Sequence, residues 1–306
     1  MEKALVSVVL CTYNGERFLE EQIESILAQT YRPLELVISD DASTDGTANL
    51  LSKYAGNPLV RVFRQEKNIG LTANFGSAAA RTKGQYIAFS DQDDTWLPHK
   101  IETLVKAMGS APLVYSNSLL VDEQGNSMGK KLSGIKKMYS GTDSRGYILY
   151  SCVWGHGMLI TRELFERSLP MPADIHHDIW ITFKAFLHGG IRYVDEVLTH
   201  YRQHTASTSQ TLPKRDIPST KQRRHEAFRK KLRWIRLMQE HERPEYQSFY
   251  RELARLYAMK EHRKYVLPLF FFMLRYRKKI FMLSTKGIAD HLVEITKYGI
   301  GTPPVK

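Results

Sequence analysis

Residues Leu5 to Thr12 form an unbroken β-branched and apolar run, the pattern of a strand covered on both faces in a parallel sheet. The run stops at Tyr13, Asn14 and Gly15, a strand-to-helix turn. Leu19, Ile23, Ile26 and Leu27 then recur at helical spacing and predict an amphipathic helix from about Glu16 to Gln29. The alternation repeats. Leu34 to Ser39 reads as a second strand ending in Asp40 and Asp41, and Ser43, Thr44 and Asp45 supply N-cap chemistry for a helix through Tyr54. Val60 to Arg64 reads as a third strand, Asn68 to Gly70 as a turn, and Leu71 to Arg81 as a small-residue helix able to lie close on a sheet. Tyr86 to Ser90 is the fourth strand.

Four strands alternating with helices imply an α/β fold with a doubly wound, mostly parallel sheet and right-handed crossovers. Further strands are expected at Leu113–Val121, Val153–Thr161, Ile191–Val194 and Val197–His204. A helix is entered between Ile175 and Trp180, with Ile179, Phe183 and Phe186 on its apolar face. Beyond Ser209 the sheet pattern gives way to basic, helical sequence. The expected organisation is one α/β domain over 1–212 and a basic helical region over 213–306.

The chain of 306 residues, 42% hydrophobic, is large enough for both parts. Its two cysteines, Cys11 and Cys152, lie in apolar runs and suit reduced, buried thiols of a cytoplasmic protein better than a disulfide framework. No basic-then-apolar leader is expected, and no run approaches the roughly 18 apolar residues of a spanning helix. The net charge of +12 is uneven: from Lys214 onward there are 23 Lys and Arg against 9 Asp and Glu, leaving the rest slightly acidic. In that region Tyr265 to Leu274 is followed by Arg275, Arg277, Lys278 and Lys279, a stretch too short to span but suited to an anionic membrane surface. The alternative is a helical subdomain that packs Phe270–Met273 on the core and leaves a solvated basic face. Nucleic acid is not expected as a partner, because no recognition motif is present and the acidic site upstream would go unexplained.

That acidic site follows the fourth strand. Polar residues end strands one, two and four (Thr12, Tyr13 and Asn14; Asp40 and Asp41; Asp91, Asp93 and Asp94), at the carboxyl edge where open α/β sheets bind ligands. At an extended strand end Asp91 and Asp93 should point to one spot. Two such charges repel unless a cation lies between them, and a hard divalent cation with open positions for phosphate oxygens fits. The alternative is a solvated acidic turn capping the helix that begins near Pro98, a role expected in particular of Asp94.

The segments Val8–Asn14, Asp40–Thr47, Asn68–Gly70, Ser90–Asp94 and His177–Asp178 occur in the order seen in family 2 glycosyltransferases, which this chain resembles over roughly residues 4–208. The forms Ser90-Asp91-Gln92-Asp93-Asp94 and Tyr201-Arg202-Gln203-His204 resemble the rhamnosyltransferase-like branch of surface-polysaccharide assembly, such as O-antigen or capsule. The resemblance implies an inverting, GT-A-fold enzyme that uses a dTDP- or UDP-sugar and Mg2+ or Mn2+, acting on a glycan or lipid-linked glycan at the inner face of the cell membrane. It implies that Thr12, Tyr13 and Asn14 border the base, with Tyr13 stacked on it, and that Asp41 accepts from the pyrimidine N3–H. Asp91 and Gln92 would hold the donor, and Asp93 would bind the metal. His204 would complete the metal or touch the diphosphate, or else be a surface imidazole; Arg202 would pair with phosphate or be solvated. Asp178 would be the catalytic base, although His177 stands before it where many relatives carry an acid. Trp154, His156, His177 and Trp180 would shape the sugar and acceptor pockets, with core packing the alternative for the tryptophans. A nucleotidyltransferase would bring a Gly-rich, basic phosphate loop after strand one, where this chain has Tyr13-Asn14-Gly15. A non-catalytic glycan- or lipid-binding module would not need Asp91, Asp93 and Asp178 intact.

Overall fold

The computed structural model describes residues 3–204, 221–263 and 265–300. The chain divides into two compact units, residues 1–142 with 151–207, and residues 143–150 with 208–306. The expected boundary at 212 lies outside the described residues.

In the first unit the apolar runs become strands as their pattern requires. The elements are β1 (Val6–Thr12), α1 (Leu19–Leu27), β2 (Leu34–Asp40), α2 (Thr47–Ser52), β3 (Val60–Arg64), α3 (Leu71–Ala80), β4 (Tyr86–Ser90), β5 (Thr95–Trp96), α4 (Lys100–Ala107), β6 (Leu113–Val121), β7 (Ser127–Lys131), α5 (Leu132–Ile135), β8 (Met158–Thr161), α6 (Arg162–Arg167), α7 (His177–Leu187) and β9 (Ile191–Arg202). The sheet runs β3-β2-β1-β4-β8-β6-β9-β5, with β7 on the side of β6. β3, β2, β1 and β4 are parallel, β8 is antiparallel to both β4 and β6, and β6 is parallel to β9. Every residue of β1 is buried, as its unbroken apolar run demands. Val8, Leu10, Leu36 and Ile38 pack with Leu19, Ile23 and Ile26 of α1 in one core.

Register places the chemistry. Thr12 lies opposite Asp40 and Leu10 opposite Ser90, so the polar residues that follow β1, β2 and β4 emerge at one edge.

Three elements depart from the expected pattern. Trp154 to Gly157 is not strand: a 3-10 turn over Gly155–Gly157 precedes the short β8, because glycines on both sides of His156 weaken extended pairing. The two last strands are one continuous β9, whose slip against β6 near Asn117 absorbs the polar Asp195 and Glu196. The two-residue β5 arises because Thr95 and Trp96 pair with β9, which turns the acidic segment back over the sheet.

The second unit is helical: α8 (Lys221–His241), α9 (Pro244–Met259), α10 (Leu267–Arg275), α11 (Arg277–Ile280) and α12 (Ile288–Ile300). Phe228 of α8 stacks on Tyr257 of α9 with ring centroids 4.9 Å apart. The inserted segment 143–150 is held here by buried polar bonds. Ser144 Oγ donates to Glu242 Oε2 at 2.6 Å and lies 2.9 Å from the Tyr250 hydroxyl, while Lys231 Nζ donates to the Ile148 carbonyl at 2.6 Å. Among the described residues no helix is long and apolar enough to cross a membrane.

Ile38 is fully buried at the centre of the core, and truncating it leaves a cavity the parallel sheet cannot close. Ile38→Ala is expected to lower stability by about 2–5 kcal/mol, read as a lower urea midpoint with an unchanged slope.

Candidate active site

The β1 end is shaped by one side chain from the acidic segment. Gln92 Oε1 accepts from Thr12 Oγ1 at 2.7 Å and from the Tyr13 N–H at 2.8 Å, while Gln92 Nε2 donates to the Tyr13 carbonyl at 3.2 Å. Gln92 therefore stands in for a neighbouring strand at Tyr13, whose ring is left 45% exposed. Asn14 sits in the left-handed region at φ 49°. There its N–H donates to Ser43 Oγ and its side-chain oxygen accepts from the Thr44 N–H, both at 2.9 Å. The first and second loops are thus tied through Asn14. Asp41 is buried, and its two oxygens accept from the Ile69 and Gly70 N–H groups at 2.8 and 3.0 Å. It anchors the Asn68–Gly70 turn. Asp40, paired with Arg64 at 3.4 Å, holds Ser43.

The three acids after β4 separate by their surroundings. Asp91 Oδ2 lies 3.8 Å from His156 Nδ1, and Asp94 Oδ2 lies 3.5 Å from the same nitrogen. Asp93 turns the other way, with Oδ2 2.7 Å from His204 Nε2. Asp91 and Asp93 thus face different imidazoles rather than a single spot. Asp94 does not cap the following helix: it is fully buried, Oδ1 accepts from the Arg202 N–H at 3.0 Å, and Oδ2 has no hydrogen-bond partner. Burial, and next the charges of Asp93 and Asp91, push its carboxyl well above the ordinary range. Burial also pushes Asp91 up, but the facing His156 imidazole and the nearby positive charge of His177 and Lys100 outweigh it and leave Asp91 below its usual value.

Lys100, the first residue of α4, is buried directly beneath. Its Nζ donates to the His156 carbonyl at 2.6 Å and Thr199 Oγ1 at 2.8 Å, and lies 3.6 Å from the centroid of the Trp96 ring. Burial pushes this amine well below its ordinary value, against the pull of Asp94 and Asp91.

The donor set suits a hard divalent cation. Carboxylate oxygens from Asp91 and Asp94 and a nitrogen of His156 lie within 4.8 Å of one another, and Asp94 Oδ2 is an orphaned acceptor. A cation that also takes water and phosphate oxygens needs an accessible side. Asp94 offers none, whereas the side chains of Asp91 and Asp93 are 34% and 17% exposed, with His204 at the border.

Asp178 enters from the first turn of α7, and its Oδ1 accepts from the Ile179 N–H at 2.8 Å. The glycine-flanked turn before β8 reaches it: a Cβ on Gly155 would sit 2.9 Å from His177 Nε2 and 3.8 Å from Asp178 Cβ. Only a residue without a side chain permits that approach. One loop therefore presents His156 to the acids and Gly155 to the start of α7, where Asp178 lies.

Several expected site residues lie elsewhere. His177 is buried on Phe75 and Phe89, with centroids 4.0 and 5.2 Å away, and both ring nitrogens lack hydrogen-bond partners. It belongs to the core rather than to a sugar pocket. Trp180 is likewise core, donating to the Ser168 carbonyl at 2.7 Å and packing on Phe183. Trp154 stays half-buried at the start of the turn. Arg202 is buried, and its guanidinium is engaged by the protein: Nε on the Asp93 carbonyl, Nη1 on the Glu123 carbonyl, Nη2 on Glu21 Oε2 at 2.6 Å. It braces the acidic segment instead of presenting a fork to phosphate. Sequence reasoning missed Lys100, Glu21 and Phe18, the last 5.1 Å from the His204 ring and 4.8 Å from the Arg202 guanidinium. For Lys100 the one signal was its i+4 spacing from Trp96; Glu21 and Phe18 carried none.

The sequence model of Glycosyl transferase family 2 matches residues 7–169. An uncharacterized glycosyltransferase of Nostoc sp. (strain PCC 7120) is 32% identical over 224 residues, which span 66% of this chain and 66% of that protein. The fold is similar to that of S. aureus TarS 1–349 in complex with UDP-GlcNAc, with a TM-score of 0.57, 17% identity, and coverage of 96% of this chain and 81% of that one. It is also similar to the mannosyltransferase PcManGT of Pyrobaculum calidifontis in complex with GDP-Man and Mn2+, with a TM-score of 0.55, 16% identity, and coverage of 96% and 79%.

Burial holds the His177 pKa down, although Asp178 and Asp91 pull it up. An unfolded imidazole titrates near about 6.5. Below that pH the unfolded chain binds a proton that the folded chain resists, so stability is complete above about 6.5 and falls as pH drops. His177→Phe keeps the ring packing and removes the titration. It is expected to flatten the fall in urea midpoint between pH 8 and pH 5.5 by comparison with the unaltered chain.

Proposed function

The chain belongs to glycosyl transferase family 2, and from that premise we propose that it transfers a sugar, with inversion, from a dTDP- or UDP-sugar to a growing glycan. The acceptor is lipid-linked and lies at the cytoplasmic face of the membrane, as in O-antigen or capsule assembly, and a rhamnosyl donor is one form of the reading. The fold is of the GT-A type, a mixed α/β sheet followed by C-terminal helices.

The observation that carries the proposal is the glycine-flanked turn that joins the acidic segment to Asp178. On one side, exposed Tyr13, locked by Gln92, offers a ring for a pyrimidine face. Asp41 holds the neighbouring turn in place and keeps lone pairs for a donor edge. Asp93, with His204, would hold Mg2+ or Mn2+, which would supply charge stabilisation to the departing nucleoside diphosphate, and Asp91 would hold the donor. The Mn2+ in the mannosyltransferase complex is consistent with use of a divalent cation in this fold.

On the other side, Asp178 acts on the acceptor. Its carboxylate, oriented by the Ile179 N–H, takes the proton from the acceptor hydroxyl as that oxygen attacks the anomeric carbon opposite the leaving group. Trp154, half-buried at the start of the same turn, would offer an aromatic face to the sugar. Lys100 and Arg202 act as positioning residues that brace the acids from beneath.

Thermal unfolding of the chain with dTDP-, UDP- and GDP-sugars, with and without Mn2+, identifies the donor, because ligand binding to the folded state raises the melting temperature. Asp178→Asn is expected to keep the metal-dependent donor shift and lower turnover by about 10²–10⁴-fold. Asp93→Ala should lose that shift. Folded variants that retain full transferase activity would sink the proposal.

A further inference from the structure

α10 and α12 expose more apolar surface than their packing explains. α10 is apolar on both sides: Leu269, Phe272 and Met273 are buried, while Leu267, Phe271 and Leu274, spaced i, i+4, i+7, are exposed, Phe271 by 62%. α12 also exposes apolar residues. Its buried residues are His291, Ile295 and Gly299, while Ile288, Leu292, Val293 and Ile300 face outward, Ile288 by 62% and Val293 by 55%. A helix apolar all round is normally enclosed, and a contiguous exposed apolar patch marks an interaction surface.

The two helices are fixed against each other. The Val266 N–H donates to the Gly299 carbonyl at 2.7 Å, and Lys260 Nζ to the carbonyls of Lys297 and Tyr298 at 2.8 and 2.7 Å. A Cβ at Gly299 would come within 2.4 Å of Phe270 Cβ, so glycine sets how closely the helices cross. The chain neighbours of that crossing pair, Phe271 and Ile300, are both exposed. Arg275, Lys278, Lys279, Lys286 and Lys297 are exposed on and beside the same helices. Of the nearby acids Asp290 is exposed, while Glu294 is bound to the Tyr150 hydroxyl at 3.0 Å and lies 3.8 Å from Lys286 Nζ.

We infer that the α10–α12 pair is a docking face for an anionic phospholipid bilayer, into which Leu267, Phe271, Leu274, Ile288, Leu292 and Val293 insert. Apolar rows flanked by cations are the pattern of an interfacial helix, and charge complementarity selects an anionic bilayer over a neutral one or a second basic copy of this chain. Neither helix can span the bilayer, so the chain lies on it. The inference draws on the proposed transferase reading only for a lipid-linked acceptor.

The test is co-sedimentation of the full chain with phosphatidylcholine vesicles, neutral or containing about 30% phosphatidylglycerol. The expected result is at least about tenfold stronger partitioning onto the anionic vesicles, weakening with salt. Phe271→Asp with Leu292→Asp, and separately Lys278→Glu with Lys297→Glu, should each lower it about tenfold or more. All these side chains are exposed, so melting temperatures should be unchanged. Equal partitioning onto both vesicles, none onto either, or variants that bind as before would overturn the inference. So would a dimer in solution that Phe271→Asp dissolves without any vesicle binding. The assay contains no sugar, so its failure is distinguishable from failure of the transferase reading.

Discussion

The active edge of this molecule depends on a single buried imidazole. His156 is wedged among groups that come from four places in the chain. Its Nδ1 faces Asp91 and Asp94, its Nε2 lies 2.9 Å from Ser118 Oγ, its ring packs 4.4 Å from Tyr201, and its own carbonyl receives Lys100. Asp94, Ser118 and Lys100 are fully buried, and removing Ser118 or Lys100 would leave a buried polar group of this set unsatisfied at a cost of about 1–3 kcal/mol. The acidic segment is braced by this set at Asp94 and again by Arg202, which donates to Asp94 and to the Asp93 carbonyl.

That rigidity divides the labour of the edge. Of the residues proposed to address the donor, Tyr13 is tied through its backbone to Gln92 and Asp41 accepts from the Ile69 and Gly70 N–H groups, while Asp91 and Asp93 face His156 and His204. Asp178 enters from α7, on a different part of the chain, and the close approach at Gly155 carries the connection. The acidic segment and Asp178 thus come from separate elements, as the proposed direct displacement from opposite faces of a sugar requires.

The parallel half of the fold was legible because apolar runs and carboxyl-edge acids are one-dimensional signals that survive without knowledge of neighbours. The strand positions of β1 to β4 and β6 follow from them. What could not be read was which neighbour uses up a side chain's hydrogen-bonding capacity. Arg202 has the chemistry of a phosphate fork, yet Glu21 and two carbonyls engage it; Asp94 has the chemistry of a cap, yet it lies beneath the others. Trp180 and His177 belong to the core because α7 turns them toward Ser168, Phe75 and Phe89, and helical phase alone did not settle this. Lys100 was hidden for the opposite reason, since a lysine at a helix start reads as solvated. In the C-terminal region the basic, aromatic composition was visible, but which apolar residues of α12 stay exposed emerges only once its partner helix is known.

The segment 143–150 leaves the sheet-containing unit and belongs to the helical one, so the chain passes between the two three times. Ser144, Tyr147 and Ile148 are buried there, and their enclosure is supplied by residues synthesised about a hundred positions later. A nascent chain that has finished the sheet still carries an open apolar loop until the helices emerge. The helices are therefore a completion step in the folding of the protein, and a cut near residue 208 would release no self-sufficient enzyme but a sheet with an uncovered, aggregation-prone insert.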